Sequence, residues 1–267
     1  MSNLLRMDLR RLFKNRSFYI ILVVTAVLLI MVTVMAYAVA DPEIMDNMEA
    51  QGAEITESDR VMSEYIHNMS QLDLMHETLG SGFLLVMTGI GMTLFVNGDF
   101  SSGFIKNICS VERRRDYVLA KILLAGVYSG VITVLSVLLM LLTPLLIHMY
   151  PALDSISQIL QYGLWMWLPH WAFALMALAL VLLTRNTTLG IILSLVSGSG
   201  LTVALVGTLG KMFRWPPLEQ YFLAAVVKGV YTSESGIVPI GIVLVCVTAW
   251  TVFYGTVSLV SMEKRDI

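Results

Sequence analysis

The sequence predicts an all-α integral membrane protein. Six transmembrane helices form a single domain over residues 1–267, with an N-terminal interfacial helix, a short cytoplasmic helix and a re-entrant or external helix before the last span. Three observations predict this. Apolar residues make up 57% of the chain and charged ones 13%, about half the usual share for a soluble domain, too little to cover a core of this size. Six runs approach the roughly 20 apolar residues that a helix needs to cross hydrocarbon. Thirteen of the 17 Lys and Arg residues fall on one side of the alternation these runs define, which puts both termini inside. The net charge of −2 gives no global attraction to nucleic acid.

Residues 1–17 space Leu5, Leu9, Leu12 and Phe13 on one helical face and Arg6, Arg10 and Lys14 on another, with Arg11 beside them. An interfacial helix explains both faces. Ordinary positive-inside flanking charge is the alternative, and it needs no such phase. The first span covers 18–40. Its end, 36-AYAVAD-41, resembles a signal-peptidase site, but the apolar run exceeds the 7–15 residues of a signal core, so it reads as a retained anchor.

The external loop, residues 41–79, holds ten acidic residues and one arginine, Arg60. Val61, Met62, Tyr65, Ile66, Met69 and Leu72 recur at helical spacing and predict one amphipathic helix over 59–75. It reads either as a vestibule or, better, as a loop helix packed on the spans. The second span, 80–96, is short and glycine-rich, so it is tilted or packed inside protein. The third, 117–147, is long enough for Lys121 to snorkel.

Between them, residues 97–116 open with the turn formers Asn97-Gly98-Asp99, and Ser101-Ser102-Gly103 makes a second turn. Phe104, Ile105, Ile108 and Val111 then mark a short amphipathic helix that includes Lys106 and Asn107, followed by a charged cluster over Glu112–Arg115. An anchor beside anionic lipid would explain Arg113, Arg114 and Arg115, but neither the helix nor the glycines.

The fourth span, 162–184, opens with Trp165, Trp167 and Trp171 at the outer interface, and Pro169 should kink or start the helix. His170 is the one ionisable residue placed within a span. It reads as a substrate or proton site, or as an interfacial histidine bonded to water or backbone, and the second suits its depth better. The fifth span, 189–209, carries the small residues Ser194, Ser197, Gly198, Ser199, Gly200 and Gly207, which permit close packing within the chain or against a second copy. His170, Ser194, Ser197 and Gly198 are the candidate substrate path. Residues 210–236 hold Pro216-Pro217 and an apolar stretch, Leu218–Val227, too short to cross. The last span is 237–260.

The motifs of catalysis and metal binding are missing. His76-Glu77 is followed by Thr-Leu-Gly and fails as a zinc motif. Around Gly210-Lys211, Leu205 and Met212 stand where a phosphate loop needs Gly and Ser or Thr. Cys109 and Cys246 read as apolar fillers. The spans read as free of buried acids and bases, which argues against a self-sufficient secondary carrier. The chain is therefore expected to be neither an enzyme nor a holder of a cofactor.

Asp99, Gly103, Lys106-Asn107, Arg114 or Arg115, Tyr117 and Lys121 follow an order that resembles the permease subunits of ABC exporters of the second type, the class with bacteriocin- and bacitracin-immunity and sodium-export permeases. The resemblance extends to the basic leader RLFKNRSFY, the six spans and the external helix before the last one. The family often carries Glu where this chain has Asp99, and its first external loop varies, so residues 41–79 receive no role by analogy. What the resemblance implies is a coupling helix at Phe104–Val111 that docks on a separate ABC ATPase subunit. Two copies of that subunit would bind ATP and Mg²⁺, and a second permease copy or paralogue would complete the path. The implied setting is a bacterial plasma membrane, with membrane lipid as a further contact. The implied cargo is amphipathic or hydrophobic, a peptide antibiotic or lipid-like molecule, as in antimicrobial peptide resistance. The alternative is a non-transporting membrane scaffold or sensor whose acidic external loop binds a ligand.

Overall fold

Side-chain caps, and not hydropathy alone, set where several helices of this chain begin. The computed structural model describes residues 2–147, 152, 154–232, 236–237 and 240–264. Arg265 and the stretch 233–235 of the predicted external segment lie outside them. The helices are α1 (Ser2–Leu12), α2 (Arg16–Ala40), α3 (Pro42–Ala50), α4 (Glu57–His67), α5 (Gln71–Leu79), α6 (Phe83–Ser101) and α7 (Phe104–Val111). They continue with α8 (Arg114–Leu146), α9 (Ile156–Thr184), α10 (Thr187–Gly198), α11 (Leu201–Phe213), α12 (Leu223–Lys228) and α13 (Ile240–Lys264). A 3₁₀ turn at Leu218–Tyr221 and a two-residue antiparallel hairpin, β1 (Tyr231–Thr232) with β2 (Gly236–Ile237), precede α13. The protein is an all-α, multi-pass membrane protein.

Among the described residues, five helices are long and apolar enough to cross a membrane: α2, α6, α8, α9 and α13. The fifth predicted run is not one helix. It breaks at Ser199-Gly200, where Gly200 takes φ +80°, and its halves α10 and α11 meet at 60°. Each half measures about 18–20 Å, short of the ~30 Å hydrocarbon core. The pair is either one broken crossing or a re-entrant loop.

Other boundaries moved for local reasons. The predicted external helix over 59–75 is two helices, because Ser70 and Asp73 form a capping box that starts α5 just after Asn68 ends α4. Its apolar positions diverge accordingly: Met69 and Leu72 are buried, while Val61, Met62 and Tyr65 stay exposed. The capping box of Ser155 and Gln158 starts α9 six residues before the predicted 162, so Pro169 lies within the helix instead of starting it. As a result His170 is the middle residue of α9, fourteen from either end, and fully buried, instead of sitting at an interface. Helix α6 runs on through the supposed turn Asn97-Gly98-Asp99 to Ser101.

The buried centre of the bundle is α9, packed by α13, α6 and α8, with α2 against α8 and α10 against α6. In contrast α2 leaves Ile20, Val23, Val27, Met31 and Met35 uncovered. Such a continuous apolar stripe fits contact with lipid and not with water.

The seam between α10 and α6 is built from small residues four apart. Gly190, Ser194 and Gly198 are buried on one face of α10. A Cβ on Gly198 would lie 2.7 Å from Val86 Cγ2, and one on Gly89 would lie 2.6 Å from Ser194 Oγ. We predict that Gly198→Ala destabilises the protein by about 1–3 kcal/mol through overpacking. Gly207→Ala, whose nearest neighbour is 3.5 Å away in Glu219, should be neutral or stabilising. Thermal unfolding of the two purified variants checks this; equal shifts would refute the tight seam.

Candidate functional site

Four charged side chains meet at the end of the bundle that carries α7. Asp8 and Arg11 come from α1, Asp99 from the last turns of α6, and Lys121 from the second turn of α8. Arg11 Nη2 donates to Asp99 Oδ1 at 2.6 Å, and Lys121 Nζ lies 2.7 Å from Asp99 Oδ2 and 2.9 Å from Asp8 Oδ1. The Tyr117 hydroxyl donates to Asp99 Oδ2 at 2.7 Å, and Arg11 Nη1 faces Asp8 Oδ1 at 3.5 Å. Asp99 and Lys121 are fully buried and Asp8 is 1% exposed.

Local sequence explains how these groups arrive. On α1, Leu4, Asp8 and Leu12 are buried at spacing four, so an acid occupies the middle of an apolar stripe. Phe13, predicted to share that stripe, is 45% exposed. Tyr117 and Lys121 are likewise four apart on α8 and face α6 together. Lys121 was expected to snorkel; instead it is enclosed, because two carboxylates wait inside. The expectation that the spans hide no acid or base is therefore corrected: Asp99 in α6 and Lys121 in α8 are both buried. Ion burial of this kind persists only when the charges balance and are hydrogen-bonded. Two acids and two bases balance here. Burial pushes the Asp8 carboxyl above its ordinary value, with Lys121 pulling the other way.

The cluster carries α7 with it. Gly103 turns the chain at φ +69° after α6, a conformation that glycine adopts without penalty. Helix α7 buries Ile105 and Ile108, and the Arg11 guanidinium lies 3.5 Å from the centroid of the Phe104 ring. On the outward side Lys106, Asn107 and Ser110 are exposed, and Val111 is 84% exposed. An uncovered valine of that degree next to exposed Arg113 and Arg115 makes a small, cationic, partly apolar knob.

The ten residues expected to act together thus divide into groups. Asp99, Tyr117 and Lys121 form the buried cluster, Gly103 the turn, and Phe104 the bridge to Arg11. Lys106, Asn107, Arg113 and Arg115 face outward. Arg114 instead donates from Nη1 to the carbonyls of Met262 and Glu263 at the end of α13. Arg6 and Arg10 of α1 and Lys14 just after it are exposed, while Arg11 turns inward. The candidate path residues are dispersed. Ser194 and Gly198 lie in the α10–α6 seam, Ser197 is half-buried, and His170 contacts the Met166 carbonyl of its own helix through Nδ1. Its Nε2 has no hydrogen-bond partner among the described residues.

At the opposite end of α6 a second polar cluster joins α5 to α9 and the segment after α12. His76 Nε2 meets the Lys228 carbonyl at 3.1 Å, so Nε2 carries the proton and Nδ1 accepts from the Tyr162 hydroxyl at 3.3 Å. The Tyr231 hydroxyl donates to Asp73 Oδ1 at 2.9 Å, and its ring lies 5.3 Å from His76. Sequence reasoning missed this cluster and missed Asp8. For Asp8 a signal existed, since it is the only acid before Asp41. Among the described residues, no group of three or more His, Cys, Asp or Glu is placed to hold a metal ion. No protein-family model matches the chain, and no curated protein matches it either.

Two predictions follow from these geometries. Lys121→Met leaves two buried carboxylates with one guanidinium and should cost about 3–5 kcal/mol. Lys121→Met with Asp8→Asn restores neutrality around Arg11 and Asp99 and should recover much of that loss. Thermal unfolding reads both; a double variant no better than the single one would refute charge balance as the constraint. At the other end, burial lowers the His76 pKa below the ordinary 6.5. The unfolded chain therefore takes up the proton first, so this contribution is intact above about pH 6.5 and is lost as pH falls toward the folded value. His76→Gln should flatten that acid limb of the stability profile, with Asp73, Glu77, Tyr162 and Tyr231 left in place. An unchanged limb would exclude His76 as its source.

Proposed function

We propose that this chain is the membrane-spanning permease subunit of an ATP-driven ABC exporter of the second type. In this reading α10 and α11 together make the sixth crossing, and both termini and α7 face the cytoplasm of a bacterial cell. ATP and Mg²⁺ belong to a separate ATPase subunit present in two copies, and a second permease copy or paralogue completes the path. The observation that carries the reading is the design of α7. An eight-residue helix is marginal on its own, yet this one is held rigidly on one face and presents Lys106, Asn107 and Val111 on the other.

That arrangement suits a part that is pushed. A load applied at Val111 passes through Phe104 to Arg11, and through Gly103 to the end of α6. From Asp99 it reaches Lys121 and Tyr117 on α8. Helices α6 and α8 would move together, with α1 attached through Arg11, without any chemistry on this chain. The cargo in this reading is amphipathic or hydrophobic, such as a peptide antibiotic or a lipid-like molecule.

Co-purification tests the proposal. Tagged chain expressed in its source cell should bring down a P-loop protein, identified by mass spectrometry, along with vanadate-sensitive ATP hydrolysis. Val111→Asp combined with Arg113→Glu should abolish that association while leaving thermal stability within about 0.5 kcal/mol, as befits exposed positions. Wild-type protein that stays stable and free of any ATPase would favour the scaffold or sensor reading instead. An association that survives the double variant would move the docking surface away from α7.

A further inference from the structure

A cavity of about 630 Å³ opens beside α1, lined by Arg6, Met7, Arg10, Arg11 and Lys14 together with Phe95 of α6. Asn3 and Asn15 complete its lining. Arg6, Arg10 and Lys14 are four apart; the turn that closes α1 keeps Lys14 in phase, its amide donating to the Arg10 carbonyl at 3.1 Å. Among the described residues none of the three forms an ion pair, whereas Arg11 is engaged with Asp8 and Asp99. The nearby acids are thus already neutralised by Arg11 and Lys121, and the cavity holds three uncompensated positive charges. Solvated charge runs are common, but here the three charges line a recess shared with Phe95.

Its position narrows the ligand. Helix α1 passes through a three-residue link into α2, whose exposed Tyr19, Ile20 and Val23 start the apolar stripe within two turns. The recess therefore sits at the level where hydrocarbon meets water. We propose that it binds the phosphate of an anionic glycerophospholipid, whose acyl chains run down the uncovered face of α2. The guanidinium, ammonium and amide donors suit phosphate oxygens, and Met7 and Phe95 suit the glycerol and first methylenes. Arg11 belongs to this wall and to the buried cluster alike, so a bound headgroup fastens α1 to α6 and tunes how firmly α7 is held. The proposal requires only that the chain is embedded in a bilayer, and it stands or falls separately from the export reading.

Native mass spectrometry of the full chain, titrated with phosphatidylglycerol or phosphatidylcholine in neutral detergent, tests it. Wild type should retain one phosphatidylglycerol saturably and prefer it over phosphatidylcholine. Each basic side chain near an anionic lipid contributes about fivefold in affinity, so Arg6→Gln/Arg10→Gln/Lys14→Gln should weaken retention on the order of 100-fold. Lys106→Gln/Arg113→Gln/Arg115→Gln removes the same charge elsewhere and should change it by less than about threefold. Should the triple variant fail to fold, Arg10→Gln alone should still show roughly a fivefold loss. Equal losses in both triple variants would mean diffuse electrostatics and overturn the site, as would a wild type without lipid preference. A third arm adds inorganic pyrophosphate: displacement of the lipid at comparable concentration would assign the recess to a soluble phosphate and overturn the lipid assignment.

Discussion

Asp99 sits at the end of a membrane helix with no exposed surface, and everything around it follows from the need to balance its charge. A carboxylate removed from water is tolerable only if cations and donors replace the lost hydration. Here the replacements come from three directions: Arg11 from α1, Lys121 and Tyr117 from α8. Each partner must be within hydrogen-bond reach, which fixes where α1 lies and how deeply α8 enters. Lys121 then brings in Asp8, since a buried ammonium with one carboxylate still has donors to satisfy. Position, depth and rotation of three helices are thus set by one residue's desolvation.

The two ends of the bundle solve the same problem differently. At the α7 end the polar groups are ionic and link helices that are far apart in sequence. At the other end His76, Tyr162, Tyr231 and Asp73 use neutral or singly charged hydrogen bonds, and they tie the loop helix α5 to α9 and the segment after α12. Between the ends, contact relies on small residues, with Gly190, Ser194 and Gly198 letting α10 approach α6. Apolar side chains gain little by leaving lipid for protein, so close packing and polar ties have to supply specificity inside a bilayer. The structure distributes them accordingly, with shape complementarity in the middle and hydrogen bonds at the rims.

Much of this was legible from residue type and spacing. Long uncharged runs marked α2, α8, α9 and α13, and the amphipathic phase of Phe104, Ile105 and Ile108 marked α7 to the residue. What escaped was decided by partners rather than by pattern. Asn97-Gly98-Asp99 reads locally as a turn, but the ion pairs of Asp99 lie 88 and 22 residues away and extend the helix through it. Lys121 reads as a snorkelling lysine until two buried carboxylates are known. The break at Ser199-Gly200 is invisible to a hydropathy average, because glycine and serine lower it only slightly while φ +80° changes the helix direction. Asp8 was readable in principle: it interrupts the apolar stripe of an otherwise basic helix, and an interrupted stripe signals a partner.

The cluster also has an internal asymmetry that bears on how it would move. Its charges cancel helix by helix, Asp8 against Arg11 on α1 and Asp99 against Lys121 across α6 and α8, while the contacts Arg11–Asp99 and Lys121–Asp8 tie the two sets together. Lifting α1 away breaks those two contacts but leaves each set balanced in charge. Pulling α6 from α8 instead strands a carboxylate and an ammonium with opposite net charges, a far costlier event in a low-dielectric site. Helices α6 and α8 therefore behave as a fixed unit, and α1 is the separable part. Its joint to that unit passes through Arg11, the residue that also covers Phe104 and walls the cationic recess. If the chain transmits force as proposed, the stroke should divide at this joint: α6 and α8 move together, while α2 follows only as far as Arg11 holds.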